Sequence, residues 1–206
     1  MKKEVIIRVD DNGNFKLSRF IKLFDSKNKI YKVLYKEKEY IKESKQKEIR
    51  QITQVVEALN IKDKKKRLTF IYNKACDILD DDFHGKNVCG FKNNKCLQDR
   101  KKKNKCDGCC RCNDNKKHCK YLINHICFTR CLACKFHICH TLKKKGYKYK
   151  VNDILVLKYL LNWKQKIMVY LDFFMTPEEV VEDLYKNDIV KWAFRKTEEK
   201  FIYDDK

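Results

Sequence analysis

Cysteine and histidine are concentrated in one short run, KCDGCCRCNDNKKHCKYLINHICFTRCLACKFHICH, which spans residues 105–140. Nine of its positions are cysteine and four are histidine. Thiolate sulfur and imidazole nitrogen are the ligands that zinc prefers, and a Cys-x-x-Cys turn supplies two of them without strain. The pairs Cys106/Cys109 and Cys131/Cys134 have the spacing of such turns. The sequence therefore predicts a metal-binding segment.

Disulfide bonds are the competing use for so many cysteines. They persist mainly in oxidising compartments, and the first residues, MKKEVIIRVDD, meet an acidic pair before the apolar core of an export signal could form. We therefore expect a cytoplasmic protein whose thiols are reduced and bind metal. The segment is predicted over residues 84–140. The predicted ligands are Cys89, Cys96, Cys106, Cys109, Cys110, Cys112, Cys119, Cys127, Cys131, Cys134, Cys139 and His137.

Zinc is the expected ion, and two or three zinc ions would use this number of ligands because a structural zinc takes four. Residues 85–120 contain few large apolar side chains. Metal binding would then supply their folding free energy, on the order of 10 kcal/mol for each site. An iron–sulfur cluster is the alternative cofactor, because all-cysteine ligand sets suit it equally well.

The spacing of Cys127, Cys131 and Cys134 resembles the CxxxCxxC cluster motif of radical S-adenosylmethionine enzymes. In that family the motif follows the first strand of a barrel. Here only 72 residues follow Cys134, their pattern is helical, and Ala133 stands where that family usually has an aromatic residue. We therefore do not assign radical chemistry to this motif.

Residues 76–142 resemble a group of uncharacterised cysteine-rich, metal-binding proteins from low-GC, clostridia-type bacteria. The similarity lies in DILDDDFHGKNVCGFKNNKCLQDR, GCC, HCKYL and LACKFHIC. The resemblance implies metal ligands and nothing further, and no activity is established for that group. Separately, we expect a bacterial or phage-derived protein. It extends to neither Cys106, Cys112 nor Cys131. The ligands that it favours are Cys89, Cys96, Cys109, Cys110, Cys119, Cys127, Cys134 and Cys139.

Apolar periodicity predicts two helices that precede the segment. Residues 49–59 place their apolar side chains on one helical face, and this helix is expected to end near Asn60. The basic run KDKKKR, residues 62–67, is predicted to be a linker. Residues 68–79 are predicted to form a second helix that stops at the acidic run 80–82. Cys76 falls on its apolar face and is expected to be a small buried side chain.

The residues after the segment have the clearest pattern. VNDILVLKYLLNWKQKIMVYLDFF predicts one long apolar helix over residues 152–174. Thr176, Pro177 and Glu179 then predict the start of another helix, with a capping box and proline in the first turn. We expect the two helices to pack as an antiparallel pair beneath the cysteine-rich segment. The second is predicted to bury Val180, Val181, Leu184, Ile189 and Trp192.

The beginning of the chain has a weaker pattern. Residues 4–20 contain two apolar runs around DDNGN, and an Asn-Gly turn between such runs predicts a β-hairpin. Residues 27–48 fit a third strand, a solvated helix or a connector. The predicted fold is therefore mainly α: a helical core with a central cysteine-rich metal-binding segment and a small N-terminal β-hairpin. We divide it into a basic N-terminal segment, residues 1–45, and a helical domain, residues 46–206.

The formal net charge of +21 predicts a polyanionic partner, with nucleic acid the first candidate. Residues 1–140 contribute +18 of it and residues 141–206 only +3, so we expect the partner to contact the first two thirds of the chain. With 41 lysines and 8 arginines, sequence-independent phosphate contacts are favoured over base recognition in a groove. No run of 18 apolar residues occurs, so no membrane association is expected.

Motifs of known catalytic sites do not occur in the sequence: it has no GxGxxG, GxxxxGK, GxSxG or HExxH. We therefore assign no catalytic residue, and we favour a protein that is not an enzyme. Three functional hypotheses remain. The first is a zinc-stabilised basic protein that binds nucleic acid or regulates a nucleic-acid machine. The others are a phage- or plasmid-type inhibitor that binds a host protein, and an iron–sulfur redox or sensor protein.

Overall fold

The computed structural model describes residues 3–10, 28–35, 38–39, 47–84, 86–88, 91–92, 95–96, 122–123, 126–127, 130–138, 140–173 and 175–195. Most of these residues are helical, and a small sheet lies at the N-terminus, so the mainly α prediction is confirmed. The strands are β1 (Lys3–Val9), β2 (Lys29–Tyr35), β3 (Lys38–Glu39), β4 (Phe91–Lys92), β5 (Lys95–Cys96), β6 (Leu122–Ile123) and β7 (Ile126–Cys127). The α-helices are α1 (Lys47–Asn60), α2 (Lys64–His84), α3 (Leu132–Phe136), α4 (His140–Lys144), α5 (Leu155–Leu160), α6 (Trp163–Leu171), α7 (Pro177–Lys186) and α8 (residues 189–195).

The N-terminal sheet has the order β1-β2-β3, and its first pair is parallel. The register runs from Lys3 opposite Lys29 to Val9 opposite Tyr35, and the second run of the predicted hairpin lies outside the described residues. A parallel pair needs a long crossover, and residues 11–27, which include most of the DDNGN turn, lie outside the described part of the chain. The third-strand alternative for residues 29–35 is confirmed.

Helix α1 ends at Asn60, as its apolar face predicts, and it packs against β2. The Asn60 side chain fixes this contact in both directions. Its Nδ2 donates to the carbonyl oxygen of Tyr31, and its Oδ1 accepts from the Tyr31 backbone N–H, each at 2.9 Å. Because one amide satisfies both backbone groups of a strand residue, the sheet is attached to the helical core at this position.

Helix α2 is longer at both ends than the pattern predicts. The run KDKKKR is not a linker, since α2 begins at Lys64 and Asp63 Oδ1 accepts from the Lys66 backbone N–H at 2.7 Å. The acidic run does not stop the helix either, because α2 continues to His84. Each of the three aspartates has a cationic partner: Asp80 contacts Lys135, Asp81 contacts Arg50, and Asp82 contacts Lys86.

The predicted long helix over residues 152–174 is wrong. A 3-10 turn (Val151–Asp153) and α5 come first, and the backbone is extended at Leu161 before α6 begins. Asn162 starts α6 with a capping box: its Oδ1 accepts from the Gln165 N–H at 3.0 Å, and Gln165 Oε1 accepts from the Asn162 N–H at 3.1 Å. A side chain that satisfies helix-start amides stabilises a break in an otherwise apolar pattern.

The Thr176 capping box and the buried side chains of α7 are confirmed. However, α7 ends at Lys186, the next residue Asn187 has a left-handed φ of 55°, and the chain becomes helical again as α8. Ile189 and Trp192 therefore lie on a separate helix, with Trp192 buried and Ile189 half-buried. Helix α7 packs on both α2 and α6. Buried side chains of the sheet and of the helices belong to one apolar core. The predicted division between an N-terminal segment, residues 1–45, and a helical domain, residues 46–206, stays a prediction.

Candidate metal centre and basic surface

The structure describes the side chains of three of the twelve predicted ligands: Cys131, Cys134 and His137. Cys96 and Cys127 are described through their backbone, and each lies on the second strand of a short antiparallel pair, β4–β5 or β6–β7. The remaining predicted ligands lie outside the described residues; they are Cys89, Cys106, Cys109, Cys110, Cys112, Cys119 and Cys139. No disulfide involves the described side chains of Cys76, Cys131 or Cys134.

Short helix α3 arranges the three described ligands. Cys131 precedes the helix, Cys134 lies within it and His137 follows it, with backbone hydrogen bonds from Lys135 N to Cys131 O and from His137 N to Cys134 O. Cys131 is fully buried, and its Sγ donates to the carbonyl oxygen of Asp172 at 3.2 Å. Cys134 and His137 are half-buried. Of the three described ligands, the last two are therefore the ones that solvent can reach.

Helix α2 holds α3 in place through charge. Arg130 Nη2 donates to Asp77 Oδ1 at 2.7 Å, and the buried Lys135 ammonium contacts the Asp80 carboxylate. Asp77 and Asp80 are three residues apart and so share one face of α2. Because both cations belong to the segment that contains Cys131 and Cys134, the predicted ligands are anchored to the core from both sides.

Buried polar groups complete this contact. The Tyr72 hydroxyl accepts from the Leu132 backbone N–H at 3.1 Å, and Cys76 Sγ donates to the Arg130 carbonyl oxygen at 2.9 Å. Burial raises the pKa of Cys76 to about 12, with Lys135 and Arg130 opposing the rise, and burial also raises the pKa of Tyr72. Both groups are therefore protonated at neutral pH. Cys76 is confirmed as a buried structural side chain.

The described residues alone do not form a metal site, since none of them fall into a group of three or more potential His, Cys, Asp or Glu ligands. Four-coordinate zinc would therefore need cysteines outside this part of the chain in addition to Cys134 and His137. Cys131 would have to lose its proton and its hydrogen bond to Asp172 in order to ligate. The ligand set stays a prediction.

A second candidate site is a concentration of lysines between α4 and α6. Residues 143–166 contain eight lysines and one acidic residue, Asp153. We call seven of these lysines the basic surface: six are exposed and Lys166 is half-buried. They are Lys143, Lys144, Lys145, Lys148, Lys150, Lys158 and Lys166.

A turn at the end of α4 fixes the backbone that carries the first lysines of the basic surface. The Tyr147 N–H donates to the Leu142 carbonyl at 3.1 Å, and the Gly146 N–H donates to the Lys143 carbonyl at 3.0 Å. This pair of bonds is a Schellman motif, and it requires the left-handed conformation that Gly146 adopts with φ of 87°. Leu142, at the base of the turn, is fully buried. The lysines around the turn are therefore presented from a structured backbone.

Lys166 joins α6 to the 3-10 turn (Val151–Asp153) and to α5. Its Nζ donates to Asn152 Oδ1 at 2.9 Å and to the Lys158 carbonyl oxygen at 2.8 Å. Burial lowers the pKa of Lys166, and the nearby Lys158 charge lowers it further. Within the described part of the chain no ion pair is found for Lys143, Lys144 or Lys148. With eight lysines and one aspartate, residues 143–166 carry a net charge of +7.

Lysines elsewhere among the described residues are engaged differently. Lys64 Nζ donates to the Tyr185 carbonyl oxygen at 2.9 Å and lies over its ring, and Lys65 pairs with Glu182 at 2.7 Å. These contacts dock the start of α2 on α7. The basic run 62–67 therefore contributes to folding, although it is the densest cationic cluster before residue 100 in the sequence.

Comparison of the chain with protein families, curated proteins and solved structures finds no match. Among the residues that the structure describes, no helix is both long and apolar enough to cross a membrane.

Proposed function

We propose that this chain is a zinc-stabilised basic protein of the bacterial cytoplasm that binds nucleic acid through the basic surface. The observation that supports this proposal most directly is the excess of lysine over acid in residues 143–166. Lysine contacts to phosphates release counterions and supply sequence-independent affinity. Such contacts would suit a protein that binds, or regulates a machine that binds, nucleic acid of many sequences.

The energetics of Lys166 favour an anionic ligand. An ammonium that is partly buried beside a second lysine is less stable in the charged state, which is why its pKa is lowered. Folding therefore holds positive charges together at a cost. A phosphate group placed between Lys158 and Lys166 would offset that cost, because it would replace the repulsion with two attractive pairs.

Zinc would have a structural role in this proposal. The cysteine-rich segment connects α2 to α3, and α3 is anchored by the Asp77–Arg130 and Asp80–Lys135 ion pairs. Metal sites in that segment would stabilise the connection and add cationic lysines near residues 101–105 to the surface available to a ligand. Chelation is then expected to unfold the segment while the helical core remains.

Elemental analysis of protein purified without oxygen tests the metal. Two or three zinc ions per chain and no visible absorption are the expected result. Iron with inorganic sulfide and a brown colour would contradict zinc and would make a redox or sensor function the leading hypothesis.

Fluorescence anisotropy of a labelled oligonucleotide, measured across a salt series, tests nucleic-acid binding. The test variant K143Q/K144Q/K148Q removes three charges from the basic surface. The matched control K65Q/K86Q/K186Q removes three charges from lysines that pair with carboxylates. For a single strand the test variant is expected to reduce the slope of log K against log salt by about 2, at roughly 0.7 per phosphate contact.

The control variant separates a local surface from a general charge effect. If both variants lose the same affinity and the same salt slope, overall charge and not the basic surface determines binding. If the wild-type protein binds no oligonucleotide at low salt, the nucleic-acid proposal is wrong. The inhibitor hypothesis would then become the leading one, and a stable complex with a host protein would be its signature.

A further inference from the structure

Helix α6 exposes a row of large apolar side chains on one face. Trp163, Ile167, Tyr170 and Leu171 are spaced at i, i+4, i+7 and i+8, and their exposed fractions are 64%, 37%, 48% and 45%. The opposite face of α6 is buried through Gln165, Met168 and Val169. A helix whose inner face already packs on the core has no structural need for a second apolar face, so the row requires another explanation.

Two lysines of α6, Lys164 and Lys166, lie beside this row. Lys164 Nζ lies 5.8 Å from the centre of the Trp163 ring. Lys166, one position before Ile167, bonds to Asn152 and to Lys158 and so connects α6 to the basic surface. The α6 face therefore lies beside two of the proposed phosphate-binding lysines, Lys166 and Lys158. A second copy of this chain is a poor occupant, because a net charge of +21 on each copy would oppose association.

We propose that Trp163 and Tyr170 are a stacking platform for the bases of single-stranded nucleic acid. This inference rests on the proposed function and adds the strand type and the residues that select it. Proteins that bind single strands combine cations that follow the backbone with aromatic rings on which bases stack. Duplex bases are already stacked on one another, so only an unpaired strand gains from exposed rings.

The spacing of the two rings fits this ligand. Seven residues of α-helix rise about 10.5 Å, which corresponds to about three bases at roughly 3.4 Å each. Seven residues also return to nearly the same side of the helix, about 20° from two full turns. The Tyr170 ring has a neighbour that limits its motion, since its centroid lies 6.1 Å from that of Phe136 on α3.

The fluorescence of Trp163 can also be used to measure base stacking. The chain has two tryptophans, and the other, Trp192, is 8% exposed with its Nε1 donating to Asp172 Oδ1 at 2.9 Å. Stacking of a base on Trp163 should quench its fluorescence and leave that of Trp192 unchanged. The variant W163F keeps a ring for stacking and removes the fluorophore, so it should bind with little loss of affinity and show no quenching.

The experiment compares an oligothymidylate of about 16 nucleotides, within the usual range of site sizes, with a duplex of the same length. Wild-type protein should bind the single strand more tightly and lose Trp fluorescence. W163A should weaken single-strand binding about 5- to 100-fold, on the scale of one base–aromatic stack, and leave duplex binding unchanged. The matched control F194A removes an aromatic side chain that is 67% exposed on α8, and it should bind like the wild type.

The outcomes separate this inference from the proposed function. Equal single-strand affinity of W163A and wild type, with K143Q/K144Q/K148Q still impaired, overturns the stacking platform and leaves nucleic-acid binding in place. If W163A binds the single strand like the wild type but has a different sedimentation coefficient from the wild-type protein, the stacking platform is also overturned. The α6 face would then be assigned to a protein–protein contact. Absence of oligonucleotide binding by the wild-type protein overturns both proposals.

Discussion

The Cys76 thiol donates a hydrogen bond to the carbonyl oxygen of Arg130 at 2.9 Å, across 54 residues of sequence. The bond joins α2 to the residue that immediately precedes Cys131. Arg130 has a φ of 50°, which is unusual for a residue with a side chain. The Cys76 thiol and the Asp77 carboxylate bind the backbone and the guanidinium of Arg130 respectively, so adjacent residues of α2 hold both ends of this strained position.

Cys76 is expected to resist alkylation in the folded protein. Its pKa of about 12 and its complete burial leave almost no accessible thiolate at pH 8. Iodoacetamide treatment followed by trypsin and mass spectrometry should therefore return the peptide ACDILDDDFHGK unmodified. The same peptide, which contains a single cysteine, should be fully modified in guanidinium chloride. Equal modification rates in the two conditions would show that Cys76 is not held as described.

Both capping boxes are expected to stabilise the fold, the one at Asn162 more than the one at Thr176. N162A removes the acceptor for the Gln165 N–H, and T176A removes the acceptor for the Glu179 N–H. Each should lower the free energy of unfolding by about 1 kcal/mol in urea titrations. N162A should have the larger effect, because Gln165 is buried and also donates to the Leu184 carbonyl at 2.8 Å. A larger effect of T176A would contradict this order.

Local signals in the sequence predicted helices well and their interruptions poorly. The apolar faces of α1 and α7 and the Thr176 cap were sufficient to place those helices. Asn162 and Gln165 have the same Asn-x-x-Gln spacing as a capping box, yet they lie inside an apolar run whose periodicity suggests continuity. The competition between capping and continued helix is decided by tertiary contacts such as Gln165 with Leu184, which the sequence does not reveal.

Non-local features could not be predicted from the pattern. The parallel pairing of β1 with β2 depends on a crossover, and a local Asn-Gly turn says nothing about it. The net charge summed over residues 141–206 did not reveal the basic surface. This range contains eight lysines over 143–166, but it also contains four acids on α7, from Glu178 to Asp183. The resulting net charge of +3 therefore represents neither the lysine-rich residues 143–166 nor the acidic helix α7. Only the fold distinguishes lysines that pair with α7 from lysines that face outward.

Arg195 is expected to be the most important charged side chain for the stability of α8. It binds Asp183 through two hydrogen bonds of 2.8 and 2.5 Å, and it lies 3.8 Å from Asp172. Both carboxylates are buried, so R195A would leave two charges without their main cation. We expect a loss of about 3 kcal/mol in the free energy of unfolding.

The conservative variant R195K tests whether geometry matters in addition to charge. Lysine keeps the cation but cannot form the paired hydrogen bonds of a guanidinium. Its unfolding free energy, from the same urea titrations, should fall between those of R195A and the wild type. A value equal to that of the wild type would mean that the bidentate arrangement contributes nothing.

The Lys65–Glu182 pair is expected to make a small contribution that depends on pH. The hydrogen bond from Lys65 lowers the pKa of Glu182 below its ordinary value of 4.5, so the folded state favours the carboxylate. This stability is fully present above the unfolded-state pKa and is lost as pH falls through the folded-state pKa. The advantage of the wild type over E182Q should therefore be present at pH 7 and vanish in acid. Because both groups are exposed, added salt should also reduce it, and an advantage that grew below pH 4.5 would contradict this sign.

Substitution of Lys166 is expected to lower oligonucleotide affinity without lowering the stability of the fold. K166Q removes the like charge beside Lys158, so the free energy of unfolding should equal or slightly exceed that of the wild type, the gain being limited because solvent screens a half-buried charge. Oligonucleotide affinity should fall, because a cation of the basic surface is lost. The control K191Q removes one exposed charge from α8 and should change neither quantity. A K166Q protein that is clearly less stable and binds normally would make Lys166 a structural residue, held for its hydrogen bonds to Asn152 and Lys158 and not for its charge.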